Sequence, residues 1–263
     1  MPNVTIDLNA DLGEGFGPWR MGEDGPLIDI VTSANVACGL HAGDPSIMAH
    51  TVRMAKARRV DIGAHVGYPD LQGFGRRAMA LEADELVPLV IYQLGALSAL
   101  ARAGGYRMTH MSFHGALGNR VARDSALADT LIAAVASVDT SLIVSTSPSE
   151  AVESAAARHG LRTARTFLAD RAYDEQGLLI PRSMPGSVID DPDTVLARVR
   201  QLLTDGSVTT YSGSRLAISA QSILLHGDTS SALELARRTR SEIEASGAQL
   251  IPISAQFASR PFS

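Results

Sequence analysis

Val4-Thr5-Ile6-Asp7-Leu8-Asn9-Ala10-Asp11-Leu12-Gly13-Glu14 is the stretch on which the fold turns. It opens as a β-rich run in which Asp7, Asn9 and Asp11 alternate with Leu8, Ala10 and Leu12. In an extended strand that alternation sets the three polar side chains on one face. Burying three polar groups is costly unless they are paired or put to use. The segment is therefore read as a buried first strand whose end carries chemistry, with an exposed edge strand as the plainer alternative. Gly13-Glu14-Gly15-Phe16-Gly17 follows as a loop, because three glycines weaken any helix or strand.

Outward from this strand, β-rich runs alternate with helical patterns. Further strands are expected over 30–38, 61–65, 107–114, 142–145, 162–168 and 222–226, and one more over 249–253. Helices are expected over 45–58, 83–103, 121–137, 149–159, 192–204 and 229–246. Asp44-Pro45 and Asp191-Pro192 each place a capping acid before a proline at the first helical position. Gly104-Gly105, Gly160 and Gly247 mark helix ends. Pro88 should kink the third helix or shift its start. Such alternation implies a parallel sheet, and this many units in one domain spanning 1–263 favour a closed or nearly closed α/β barrel. The regions 173–189 and 208–219 read as insertions.

Composition narrows the function. The formal net charge of −5 gives no reason to expect nucleic acid or an anionic membrane as a partner. No uninterrupted apolar run approaches the roughly 20 residues that span a bilayer. The N-terminal run has no basic region followed by an apolar signal segment, so a cytoplasmic location is expected. The single cysteine, Cys38, excludes an intrachain disulfide framework and reads as a small buried residue rather than a nucleophile. The single lysine, Lys56, sits in a helical pattern, so no phosphate-binding Gly-x-x-x-x-Gly-Lys loop exists.

Ligand sites in parallel α/β sheets lie beyond the carboxyl ends of the strands. The expected strand ends carry Asp11, His41, His65, His114 and His226, so four of the seven histidines fall where a strand gives way to a loop. Of the others, His50 and His159 are helical and His110 opens a strand. Two chemistries fit a cluster of imidazoles and carboxylates. The groups could bind a divalent metal and acidify its water, or act directly as general acid and base. Arg76, Arg77 and Arg171 could hold a carboxylate or phosphate through paired hydrogen bonds. The glycines around Phe74 suit a loop that closes over substrate.

Five stretches together resemble the LamB/YcsF family. They are 6–17, from Ile6-Asp7-Leu8-Asn9 to Gly15-Phe16-Gly17; 32–45, with Asn35-Val36-Ala37-Cys38-Gly39-Leu40-His41-Ala42-Gly43-Asp44; and 63–77, from Gly63-Ala64-His65 to Gly75-Arg76-Arg77. The last two are Ala169-Asp170-Arg171-Ala172-Tyr173 and His226-Gly227-Asp228. The resemblance implies a distorted seven-stranded β/α barrel akin to the glycoside hydrolase/deacetylase superfold. It implies the A-subunit role in ATP-dependent 5-oxoprolinase, which opens 5-oxo-L-proline to L-glutamate with kinase-like subunits B and C. ATP would be used with those partners, a divalent metal is an open addition, and a homo-oligomer is compatible. The resulting assignment is Asp11, His41, His65 and His114 for catalysis. Asp7, Asn9, Glu14, Arg76, Arg77, Asp170, Arg171 and His226 are assigned to substrate binding. At the fourth strand Ser112-Phe113-His114-Gly115-Ala116-Leu117-Gly118-Asn119 carries Ser112 and Gly118 where the resemblance leads one to expect lysine and tyrosine. Analogy of fold alone would also allow a metal-dependent, deacetylase-like hydrolase of a carbohydrate or small amide. A non-catalytic paralogue that kept the pocket is the reading from a different class.

Overall fold

Both faces of the first strand, β1 (Thr5–Leu12), are buried, and they are buried in different company. Ile6, Leu8, Ala10 and Leu12 join the apolar core, whereas Asp7, Asn9 and Asp11 bond to side chains of neighbouring strands. That division is the signature of a closed barrel with a polar interior and an apolar jacket of helices. In the computed structural model, which describes residues 4–228 and 232–258, the barrel closes. β1 pairs with β2 (Ser33–Ala37), followed in order by β3 (Asp61–Val66), β4 (Met108–Phe113), β5 (Ile143–Thr146) and β6 (Arg162–Leu168). After a small antiparallel hairpin of β7 (Ser207–Thr209) and β8 (Arg215–Ala217), β9 (Ser222–Leu225) inserts between β6 and β1. These seven strands, β1 to β6 and β9, are all parallel, as expected for the distorted seven-stranded barrel.

The helices pack outside it. The short α1 (Asp24–Ile28) was not expected. At α2 (Pro45–Arg58) the Asp44 carboxylate accepts from the Ser46 and Ile47 amides, and Pro45 occupies the first turn. α3 (Ala83–Ala103) begins with a reciprocal cap between Glu82 and Glu85 and carries Pro88 within its span, so the proline neither ends it nor moves its start. By length and a mean hydropathy of 1.5, α3 is long and apolar enough to cross a membrane, although charged and polar residues interrupt its apolar runs. Here Leu86, Val90, Leu94 and Leu97 of α3 are buried in the core, and it packs on β3 and β4. Its buried Gln93 holds the loop after β3 through the Gly67 amide and carbonyl, at 2.9 and 3.0 Å.

Two expected elements differ. The helix anticipated over 121–137 is α5 (Ser125–Val138), which starts four residues later because Asp124 caps it by accepting from Ala126 and Leu127, and the short α4 (Gly115–Val121) before it was not expected. The strand anticipated over 249–253 is the two-residue β10 (Gln249–Leu250), alongside Thr5 and Ile6 of β1. Pro252 then turns the chain into the short α9 (Ile253–Phe257). α6 (Glu150–Arg158) and α7 (Pro192–Asp205) fall where expected. α8 (Ala232–Ala245) does too, although its anticipated start at 229 lies outside the described residues. The excursion over 171–189 is clamped by buried Arg198, which donates to the carbonyls of Ala169, Arg171 and Thr209.

Candidate active site

The barrel interior is organised in layers read upward along β1. At the bottom, Thr32 and Ser33 donate to Asp7 Oδ1 and Ser222 donates to Oδ2, each at 2.6 Å. Burial outweighs these three donors and lifts the Asp7 carboxyl from 3.8 to about 6. One layer up, Asn35 Nδ2 donates to Asp11 Oδ1 at 2.9 Å. Asn35 Oδ1 accepts from Asn9 Nδ2 at 3.3 Å and lies 3.1 Å from His110 Nε2. The His110 ring fits only because its neighbour on β3 is Gly63, where a Cβ would lie 2.2 Å from the ring.

The top layer gathers residues from four strand-to-loop junctions. His65 stands on β3, His114 directly follows β4, His41 lies in the loop after β2, and Glu14 in the loop after β1. His65 Nδ1 is 2.7 Å from Ser112 Oγ, and its Nε2 is 2.9 Å from His114 Nδ1 and 3.5 Å from Asp11 Oδ2. His114 Nε2 donates to the Phe74 carbonyl at 2.8 Å. The His41 ring stacks on His114 with centroids 3.9 Å apart, and among the described residues neither of its ring nitrogens has a hydrogen-bond partner. Close packing here depends on Gly75, whose backbone has φ +62°. A Cβ at that position would come within 2.8 Å of both His41 and His114. Glu14, His41, His65 and His114 can each offer one ligand atom, all within 4.8 Å of one another, and so form a group able to hold a metal ion.

Electrostatics separates the carboxylates. Burial alone would raise Asp11, but His65, His226 and Asn35 outweigh it and hold Asp11 below the usual carboxylate range. Glu14 goes the other way, well above its ordinary value, through burial and the nearby charges of Asp11 and Asp228. His41 and His114 are pushed well below theirs, first by burial and then by the other imidazoles, so both are neutral at pH 7.

Asp11, His65 and His114 line a cavity of about 470 Å³ that also meets Arg76, Arg182 and His226. His226 Nδ1 lies 2.6 Å from Asp170 Oδ2, and Arg182 Nη2 donates to His226 Nε2 at 3.2 Å. Since a guanidinium only donates, the ring proton is on Nδ1 and points at Asp170. Arg76 pairs with Asp228 at 2.8 Å and lies over the Phe74 ring.

All four residues assigned to catalysis converge here. Among those assigned to substrate binding, Arg76, Arg171 and His226 line the cavity, Asp170 supports His226, and Glu14 joins the histidine cluster. Arg171 reaches the cavity with its guanidinium already engaged by the carbonyls of Ser187 and Ile180. Asp7 and Asn9 lie in lower layers of the barrel and line no part of the cavity, and Arg77 is paired with Asp70 away from it. Sequence reasoning missed Asn35, His110 and Arg182. Asn35 was in view, on a strand parallel to β1. His110 sits inside β4 rather than at its opening, and Arg182 lies in an excursion with no periodic signal.

The LamB/YcsF family model matches residues 6–258. A 5-oxoprolinase A subunit of Pseudomonas syringae pv. tomato is 62% identical over 251 residues, covering 95% of this chain and 98% of that protein. A 5-oxoprolinase A subunit of Ralstonia nicotianae is 58% identical over 253 residues, covering 96% and 97%. Among solved structures, the lactam utilization protein from Thermus thermophilus superposes with a TM-score of 0.87 at 40% identity, over 94% of this chain and 99% of that one. The matched region takes in every strand of the barrel and every residue of the histidine cluster: the chain belongs to the LamB/YcsF family.

Proposed function

We propose that this chain is the A subunit of an ATP-dependent 5-oxoprolinase and carries out ring opening of 5-oxo-L-proline to L-glutamate. Kinase-like subunits B and C would supply the ATP-driven activation. The names of relatives at 58–62% identity support this reading. The observation that carries it is Asp11: a buried carboxylate held in its ionised form, between Asn35 and His65, at the wall of a cavity of about 470 Å³.

A five-membered lactam is a stabilised amide, and phosphorylating its oxygen converts that oxygen into part of a leaving group. What remains is to place a water, take its proton and stabilise the charge that develops. Asp11 faces the cavity as the base. His65 and His114 stand beside it, where their inward nitrogens can accept from the water and orient it. Arg182 donates to His226 Nε2 at the cavity wall and is assigned to recognise the substrate carboxylate. Lys56 is bonded to the Gly104 carbonyl on the helical jacket and lines no part of the cavity.

The test is ring opening measured with the partner subunits, ATP and 5-oxoproline. Asp11→Asn should lower turnover about 10²- to 10⁴-fold, the usual worth of a positioned base. Unchanged turnover removes Asp11 from the mechanism.

A further inference from the structure

We infer that Glu14, His41, His65 and His114 form a binding site for one divalent transition-metal ion of the zinc class, seated beside the cavity. Three imidazoles and one carboxylate converge from four separate junctions, their ligand atoms within 4.8 Å of one another. The hydrogen bonds around them have the form that metal-bound histidines require. A ligating histidine donates its other ring N–H to a carbonyl or hydroxyl oxygen, which fixes the tautomer and aims the lone pair at the ion. His114 Nε2 donates to the Phe74 carbonyl, so its lone pair is on Nδ1, facing His65. His65 Nδ1 has Ser112 Oγ at 2.7 Å, which frees His65 Nε2 to face the same point. The two inward nitrogens are 2.9 Å apart.

A plain hydrogen bond from His65 to His114 would account for that pair. It leaves His41 unexplained. His41 is 1% exposed, is packed flat against His114, and has no partner on either nitrogen among the described residues. A buried polar group without a partner costs roughly 1–3 kcal/mol, and an ion in the cluster supplies the missing partner once the His41 ring turns out of its stack on His114 to bring a lone pair onto it. A cation would also relieve the crowding of Glu14 with Asp11. The donor set selects the metal: imidazole nitrogens suit zinc and its neighbours, whereas magnesium and calcium take oxygen ligands. The binding site itself does not depend on which substrate the cavity takes.

The experiment is a titration of chelator-stripped, full-length protein with Zn²⁺ by calorimetry and with Co²⁺ by visible absorption. One ion per chain is expected, with the strong bands of four-coordinate Co²⁺. His41→Ala should weaken Zn²⁺ binding by at least about 100-fold. Ser112→Ala, which touches the ion only through His65, should weaken it about 10- to 100-fold. Circular dichroism checks that each variant is folded, and Glu14→Gln serves where His41→Ala is not. Absence of stoichiometric Zn²⁺ and Co²⁺ binding overturns the inference, as does unchanged affinity in whichever folded variant lacks a ligand. Loss of ring opening with metal binding intact would instead count against the substrate reading alone.

Discussion

Asp7→Asn separates the structural floor of the barrel from its working end. Asp7 is fully buried and accepts from Thr32, Ser33 and Ser222, yet burial lifts its carboxyl from 3.8 to about 6. A raised carboxyl binds its proton more tightly in the folded chain than in the unfolded one. Its contribution to stability is therefore full below pH 4 and declines as pH rises to about 6, with no further change above. The size of the shift corresponds to roughly 3 kcal/mol, as an order of magnitude. Asparagine has nearly the same shape, keeps an acceptor for two of the hydroxyls and can donate to the third, but cannot ionise. Urea unfolding of the natural protein and the variant between pH 4 and pH 8 reads the difference directly, because all other titrations cancel. The variant should gain on the natural protein by up to about 3 kcal/mol across that window. Ring opening should be unchanged, since Asp7 lines no part of the cavity. A constant stability difference from pH 4 to pH 8 would refute the burial argument. A collapse of turnover in a stable variant would refute the placement of Asp7.

Two further outcomes follow from the same geometry. Gly75→Ala forces a side chain onto a left-handed backbone and into His41 and His114. It should cost about 1–2 kcal/mol in thermal or urea unfolding and lower ring opening by more than that loss explains. Activity within two-fold of the natural protein would show that the stacked histidines are not needed in this arrangement. Cys38 is fully buried, donates to the Val36 carbonyl, and has its thiol pushed up to about 12 by burial. A disulfide reagent should leave the native protein unlabelled and titrate one thiol per chain in denaturant; rapid native labelling would contradict that burial.

The strand-to-loop positions of His41, His65, His114 and His226 were legible because two periodic signals meet there, an apolar strand and a capped helix. The rule that parallel strands deliver ligands at their carboxyl ends then did the rest. Asp7, Asn9 and Asp11 look equivalent in sequence, and alternation correctly places them on one face. What alternation cannot give is depth. Only Asp11 stands high enough on β1 to reach the cavity, and that height is set by the stagger of the closed barrel. Arg77 looked as promising as Arg76 for a similar reason. Adjacent residues diverge, one towards Asp228 at the cavity and one towards Asp70 outside it. The start of α5 was placed too early because Asp124 sits within a helical pattern, where a single capping acid carries little weight against several apolar residues.

Closure between β1 and β9 fixes the order of events when the chain folds. The Asp7 amide donates to the Gln221 carbonyl and the Asp7 carboxylate waits for Ser222, a separation of 215 residues. Until β9 has been synthesised, β1 is an unprotected edge carrying a buried acid short of one of its partners. Contacts this distant in sequence slow folding and leave partly built sheets open to association. A nascent chain ending before Ser222 should thus behave as an aggregation-prone intermediate rather than as a smaller barrel.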